Sequence, residues 1–121
     1  MSNTTPPTIE AALRKFASHE WLKPMVNDSY YPSFLVDKII QILQNVFRNI
    51  EAVKPTTLEQ LYEITNQGVR EINDLEDEFD QNESEIETMA RDAIGDEFYF
   101  IIDAFGFKDA DLEEAIRDRE W

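Results

Sequence analysis

The sequence contains no cysteine. Disulfide bonds, thiolate catalysis and zinc sites built from cysteine are therefore excluded. Histidine is almost as scarce, since His19 is the single one. The run His19-Glu20-Trp21-Leu22-Lys23 resembles a two-histidine zinc helix, but a lysine stands where the second ligand is required. We therefore interpret His19 as a structural histidine, half-buried or exposed, and predict no metal site and no cofactor.

Glycine and proline are also few. The three glycines stand alone at positions 68, 95 and 106, so the sequence has no glycine-rich loop of the kind that cradles phosphates. All five prolines lie within the first 55 residues, and the shortage of turn-forming residues after them favours long helices over short strands. No Ser-His-acid set suited to nucleophilic catalysis stands out. We therefore predict no catalytic residue and expect that the protein is not an enzyme.

Long apolar runs are absent as well. No stretch approaches the roughly 20 apolar residues that a membrane-spanning helix needs, and the first residues have neither the basic start nor the apolar run of a secretory signal. We therefore expect a cytoplasmic protein without a membrane partner. The hydrophobic fraction of 42% is nevertheless typical of a globular chain, and 121 residues suit a single domain.

The basic residues are unevenly distributed. Residues 1–60 hold six acids and six bases, whereas residues 61–121 hold the remaining 20 acids and five bases, so the net charge of −15 arises in the second half. Such a surface repels nucleic acid and anionic membranes. No lysine or arginine occurs between Arg70 and Arg91, an interval that carries Glu71, Asp74, Glu76, Asp77, Glu78, Asp80, Glu83, Glu85 and Glu87.

Hydrophobic periodicity predicts an all-α fold, a small four- to five-helix bundle that forms a single domain over residues 8–121 after a disordered tail over residues 1–7. The second predicted helix has two adjacent apolar stripes and should lie at the centre of the bundle. The predicted helices run from Pro7 to about Glu20, from Pro32 to Pro55, from Thr57 to Phe79, from Asn82 to Phe105, and from Asp109 or Asp111 onward.

Three local features refine this prediction. Gly68 falls on the apolar seam of the third helix, which predicts a close helix approach there; the alternative is a tolerated flaw costing about 1 kcal/mol. The same helix opens at Thr56-Thr57, with Glu59 and Gln60 as the reciprocal candidates for a capping box. The apolar run 98–102 is also compatible with a buried strand, but we favour a helix because the helical pattern enters it without a turn signal.

The acidic interval is the candidate functional surface. The third helix as predicted ends in a cluster of acids, where the helix dipole disfavours negative charge. Such a cluster suggests a basic protein partner, for example a toxin or nuclease that this chain inhibits as an immunity protein. The alternative is an ordinary solvated surface. The predicted partner-binding residues are Asp74, Glu76, Asp77, Glu78, Asp80, Glu83 and Glu85.

Other functions stay open as alternatives. Glu71 and Asp74 have the one-turn spacing that all-α magnesium enzymes use, but we find no matching run on a second helix. The segment 109–120 has acids at several positions of a calcium-binding loop, yet Glu114 stands where that loop needs glycine. Extra apolar area on the second and fourth helices would suit a homodimer without catalytic activity.

Much of the chain from Trp21 onward resembles a family of small, acidic, uncharacterised bacterial proteins, domain of unknown function 5713. The resemblance covers about the last five sixths of the chain. It implies a bacterial source and a compact helical domain, and it transfers no activity and no site residue. The segments that carry it are Trp21-Leu22 with Met25, 28–32, 34–38, 73–79, 83–88 with Ala90-Arg91, 96–98, 109–111 and 119–121.

Overall fold

A computed structural model describes residues 7–121 of the chain, with side chains described from residue 9 onward. The expected disordered tail lies outside the described residues except for Pro7, which begins the first helix. The predicted all-α class is confirmed, because every regular element between residues 7 and 121 is a helix. The helices are α1 (Pro7–Ser18), α2 (Lys23–Val26), α3 (Ser33–Val53), α4 (Leu58–Asn73), α5 (Glu76–Gln81), α6 (Thr88–Ala104) and α7 (Leu112–Ala115).

Helix α3 is central, as its two apolar stripes predict. It packs mainly on α4 and also contacts α2 and α6. It begins directly after Pro32 and ends where Lys54 adopts a left-handed conformation with φ of 55°. Its buried residues come from both stripes and are Leu35, Val36, Ile39, Leu43, Val46, Phe47 and Ile50.

The predicted close helix approach at Gly68 is confirmed. Gly68 is buried in α4, and a Cβ atom placed on it would overlap Cγ2 of Val46 in α3. Cγ2 of Ile42 and the Phe98 ring lie 3.6 and 3.8 Å from the same point. The absence of a side chain therefore lets α3 and α4 pack closely.

The start of α4 has the predicted capping interactions. The Thr57 hydroxyl accepts a hydrogen bond from the Gln60 backbone N–H at 3.2 Å. The Gln60 side chain accepts in turn from the Thr56 N–H at 2.8 Å, one residue before the position that a strict capping box uses. Gln60, rather than Glu59, is therefore the reciprocal partner.

The prediction of one continuous third helix to Phe79 was wrong. The chain turns at residues 74–75, and Glu76 begins the separate short helix α5. Leu75 and Phe79 remain buried, so the apolar seam continues across the break. Glu76, Asp77 and Glu78 consequently lie in the first turn of α5, where the helix dipole favours negative charge rather than opposing it.

The predicted start of the fourth helix at Asn82 was also wrong. Helix α6 begins at Thr88, and the Glu87 side chain caps it by accepting from the backbone N–H groups of Met89 and Ala90. Asn82 instead donates to the Glu78 carbonyl at the end of α5. Residues 82–83 form a turn and residues 84–87 an irregular segment, which together connect the two helices. The preferred helix over residues 98–102 is confirmed.

The remaining differences are small. The connection after Trp21 contains the one-turn helix α2, which sequence periodicity does not reveal in so short a segment. Gly106 follows α6 with a φ of 80°, the left-handed conformation that glycine commonly adopts just after the end of a helix. Asp111 caps α7 by accepting from the Glu113 N–H at 2.9 Å. None of the described helices is long and apolar enough to cross a membrane.

Candidate functional site

The segment after α7 is fixed to α4 by two asparagine side chains. Asn66, which is 2% exposed, donates to the Glu114 carbonyl at 3.0 Å and accepts from the Asp118 N–H at 3.0 Å. Asn73, two turns further along α4, donates to the Asp118 carbonyl at 2.9 Å and accepts from the Glu120 N–H at 3.0 Å. These hydrogen bonds bring the last residues of the chain to the end of α4, beside α5.

A salt bridge supports the same attachment. Arg70 donates to the Asp118 carboxylate at 2.6 Å and to the Gln67 side chain at 3.0 Å. Both charged side chains are partly exposed, so the salt bridge contributes little to stability. Its main effect is to position the segment after α7 on α4.

The opposite wall is formed by α5 and the connection that follows it. Glu83 has a φ of 57°, and its N–H bonds the Asp80 carbonyl at 3.1 Å, so the chain reverses there. The Ser84 N–H then donates to the Phe79 carbonyl at 2.9 Å. This turn buries Ser84, which is 5% exposed.

Between these walls lies a cleft with a volume of about 430 Å³. We call it the acidic cleft, because five of its eight lining residues are carboxylates and none is a lysine, an arginine or a histidine. Three separate stretches of sequence contribute to it. The lining residues are Glu76, Asp77, Asp80, Ser84, Glu85, Ile86, Glu120 and Trp121.

The carboxylates of the acidic cleft are not neutralised by any basic side chain that the structure describes. Within the described residues, none of the five forms a salt bridge. Burial raises the pKa of Glu76 above its ordinary value, and the negative charges of Glu120 and Asp77 raise that pKa further. Negative charge is therefore unfavourable at this position, and a cation would relieve it.

Two buried polar atoms at the acidic cleft have no hydrogen-bond partner in the structure. They are Oγ of Ser84 and Nε1 of Trp121, and both residues line the cleft. A hydroxyl both donates and accepts, whereas an indole N–H only donates. Leaving such groups unpaired in a buried position costs about 1–3 kcal/mol each.

The structure brings together four of the seven predicted partner-binding residues, Glu76, Asp77, Asp80 and Glu85, in the acidic cleft. Glu78 does not line the acidic cleft. Both of its carboxylate oxygens instead accept hydrogen bonds from Lys38 Nζ at 2.9 Å. Asp74, at the end of α4, and Glu83, at the reversing turn, are exposed and do not line the cleft.

Sequence reasoning missed Ser84, Glu120 and Trp121 as residues of this site. No periodic pattern connects the last residues of the chain with α5, since the contact depends on hydrogen bonds from Asn66 and Asn73. The available signal was indirect, because Glu120 continues the acidic excess of the second half.

The two alternative metal sites, the Glu71 and Asp74 pair and the calcium-loop frame over residues 109–120, do not show the grouping of acidic side chains that would hold a metal ion. Glu71 accepts a hydrogen bond from Gln67 on its own helix at 3.1 Å, and Asp74 is exposed. In the calcium-loop frame, Asp111 is a helix cap and Glu113 binds Arg119 at 3.3 Å. Across residues 7–121, no three His, Asp or Glu side chains are grouped so as to hold a metal ion.

A second polar cluster lies where α1, α2 and α6 meet. Glu97 is 6% exposed, and its carboxylate lies 2.5 Å from His19 Nε2 and accepts from the Leu22 N–H at 2.6 Å. His19 stacks on Phe100 with ring centroids 3.7 Å apart. His19 is half-buried, as predicted, and it fastens the α1–α2 connection to α6.

Comparison of the sequence with known protein families identifies the family of this chain. The sequence model of a family of unknown function, DUF5713, matches residues 15–121. The chain belongs to the DUF5713 family. The DUF5713 match begins within α1, a few residues before the resemblance that starts at Trp21, and it includes every residue of the acidic cleft. No curated protein and no solved structure matches the chain.

Proposed function

We propose that this protein is a binding module that docks on a basic surface of another protein through the acidic cleft. The observation that carries the proposal is the convergence of five carboxylates from three stretches of sequence, without a base among the residues that line the cleft. The raised pKa of Glu76 supports it, because that carboxylate is held where its charge is unfavourable. A bound cation would turn this repulsion into attraction.

The charge of the chain supports fast encounter with such a partner. A net charge of −15 concentrated in the second half attracts a cationic protein over a distance set by the salt concentration. Association is then rapid at low salt and weakens as salt screens the field.

A more specific form of the proposal is an immunity or inhibitor protein in the bacterial cytoplasm. Toxic nucleases need basic surfaces to bind nucleic acid, and an acidic cleft is suited to cover such a surface. The sequence supports this form through the interval free of bases after Arg70.

The experiment compares two variants of equal charge. The cleft variant carries Glu76→Gln, Asp77→Asn, Asp80→Asn and Glu85→Gln. The matched control carries Glu59→Gln, Glu63→Gln, Asp103→Asn and Asp109→Asn, four exposed acids that lie outside the acidic cleft. Each immobilised protein is exposed at low and high salt to an extract from which nucleic acid has been removed.

The proposal expects the wild-type and control proteins to retain the same basic protein at low salt, and the cleft variant to lose it. Retention should decrease as salt rises. A partner retained equally by both variants, a partner whose association ignores salt, or no partner at all would contradict the proposal.

Two other functions remain as weaker proposals. A magnesium-dependent enzyme would use a different pair of carboxylates, Glu71 and Asp74, which lie outside the acidic cleft. The support for it is the one-turn spacing of these two residues. A homodimer would use exposed apolar side chains such as Phe34 and Val53 on α3 and Tyr99 on α6. A monomer measured by light scattering at high protein concentration would contradict the homodimer.

A further inference from the structure

The acidic cleft contains one feature that a solvated patch of acids does not need. Ser84 is 95% buried, since only 5% of it is exposed, and its hydroxyl has no hydrogen-bond partner. Buried polar groups in folded proteins are nearly always paired, so an unpaired hydroxyl among the lining residues of a cleft suggests a missing ligand. The surrounding carboxylates require that this ligand be cationic.

We propose that the acidic cleft binds the guanidinium group of an arginine side chain, with the Ser84 hydroxyl and the cleft carboxylates as hydrogen-bond acceptors. This proposal deepens the proposed function, on which it rests for the protein that supplies the arginine. A guanidinium has five N–H donors in a planar fork, so it reaches several separated acceptors at once. The acidic cleft offers such acceptors on α5, on the 82–87 connection and on Glu120.

Trp121 favours the same ligand. Trp121 is one of the residues that line the acidic cleft, and arginine stacks on aromatic side chains more readily than lysine does. Its unpaired Nε1–H can only donate, so it needs an acceptor that a bare cation lacks. The backbone carbonyl of a peptide that carries the arginine supplies one.

The pH dependence of binding follows from the same geometry. The other titratable groups that line the acidic cleft are Asp77 and Asp80 on the same helix as Glu76, Glu85 on the connection after it, and Glu120. The raised pKa of Glu76 means that this carboxylate is protonated at a higher pH than an ordinary glutamate, so the cleft loses part of its negative charge earlier as pH falls. A cation in the acidic cleft lowers that pKa, so binding should strengthen as pH rises through it.

The test uses the full chain and nuclear magnetic resonance. The chain has two tryptophans, and Trp21→Phe assigns the indole N–H signal of Trp121. The probe is N-acetyl-arginine methylamide, which has the guanidinium and backbone carbonyls. Three comparison probes are the lysine analogue, the uncharged citrulline analogue and magnesium chloride.

We expect the arginine probe to shift the Trp121 indole signal in a saturable way, with the lysine probe several-fold weaker and the citrulline probe without effect. Ser84→Ala should weaken binding of the arginine probe about three- to tenfold, the effect of one hydrogen bond. Because the Ser84 hydroxyl has no hydrogen-bond partner among residues 9–121, this variant should fold with undiminished stability. The control variant with four neutralised acids outside the cleft should bind the arginine probe like wild type.

Several results would overturn the proposal. They are equal shifts from the citrulline or lysine probe, unchanged binding by Ser84→Ala, and a Trp121 shift produced by magnesium at lower concentration than by the arginine probe. The proposed function and the arginine site can be contradicted independently. Probe binding without a captured protein removes the proposed function alone, and cleft-dependent capture without probe binding removes the arginine site alone.

Discussion

Glu120 and Glu76 both line the acidic cleft, and the negative charge of Glu120 helps to raise the pKa of the Glu76 carboxyl. The two residues belong to distant parts of the sequence, and the hydrogen bond between the Glu120 N–H and Asn73 brings them together. The fold therefore places two like charges near one another at the expense of its own stability.

Replacing Glu76 by glutamine should stabilise the protein at neutral pH. A carboxyl whose pKa is higher in the folded chain binds more protons there, so its contribution to the free energy of unfolding falls as pH rises from its ordinary value of 4.5 through the raised value. Above that window the penalty is fully present, and Glu76→Gln removes it. Below pH 4.5 the variant and the wild type should differ little.

Urea denaturation at several pH values measures this effect, and Glu120→Gln provides the control. That change should also stabilise at neutral pH, since it removes the second cause of the raised pKa of Glu76. The stabilisation in the double variant should be smaller than the sum of the single effects. Additive effects would mean that the two carboxylates do not interact.

The two helical glycines in α4 and α6 should respond oppositely to alanine. At Gly68 the added methyl group meets Val46, which is buried and, as a β-branched residue in a helix, cannot change rotamer freely. Overpacking costs about 1–3 kcal/mol and outweighs the gain of about 1 kcal/mol in helix propensity. At Gly95 nothing lies within 4 Å, so alanine should stabilise by about 0.5–1 kcal/mol.

Thermal or urea unfolding of both variants tests this pair. A second-site change, Val46→Ala, should recover much of the stability that Gly68→Ala loses, because it removes the overlapping methyl group. If Gly68→Ala is as stable as Gly95→Ala, the close approach of α3 and α4 is not as described.

Glu97→Ala should destabilise the protein by about 3 kcal/mol. The change leaves the Leu22 N–H without its acceptor at 2.6 Å and His19 without its partner at 2.5 Å, in a region that is largely buried. The adjacent exposed Asp96 is the matched control, and Asp96→Ala should change stability by no more than about 0.5 kcal/mol. Equal losses from the two changes in urea denaturation would mean that Glu97 does not fasten α1 and α2.

Acid should weaken the attachment of α6 through Glu87. The hydrogen bond from the Tyr31 hydroxyl lowers the pKa of Glu87, and the backbone N–H groups of Met89 and Ala90 lower it further. The stability from a lowered carboxyl pKa is present above its ordinary value of 4.5 and is lost as pH falls through the lowered value.

The acid limb of a stability–pH curve measures this contribution. Glu87→Gln should flatten that limb while reducing stability at neutral pH, because glutamine is the weaker cap. Tyr31→Phe should move the Glu87 pKa back toward its ordinary value. An unchanged acid limb in Glu87→Gln would assign the acid sensitivity to other carboxyl groups.

The helices that could be predicted are those whose burial is visible in local periodicity. The paired stripes of α3 and the apolar side of α6 indicate their own burial, and Gly68 on a seam indicates close packing. The break at residues 74–75 was missed because the apolar seam continues through it to Phe79. Local spacing also suits Asn82 as a cap, but Glu87 replaces it because a distant residue, Tyr31, holds that carboxylate in place.

The candidate site was predicted only in part, for a similar reason. Acids of the interval between Arg70 and Arg91 are visible in the sequence, and four of them line the acidic cleft. Tertiary contacts decide the other members of the site. Glu78 binds Lys38 instead of lining the cleft, and a hydrogen bond to Asn73 brings Glu120, with Trp121, to the cleft. Local pattern cannot show such contacts, because their partners are far apart along the chain.

Both proposals depend on negative charge in the acidic cleft, and the arginine site requires that an external guanidinium neutralise it. A titration of the Glu76 carboxyl carbon by nuclear magnetic resonance tests this most directly, in the full chain with and without saturating N-acetyl-arginine methylamide. The titration midpoint of Glu76 should lie above 4.5 in the free protein and should be lower with the probe present. A midpoint at or below 4.5 in the free protein, or one that the probe leaves unchanged, would contradict the arginine site.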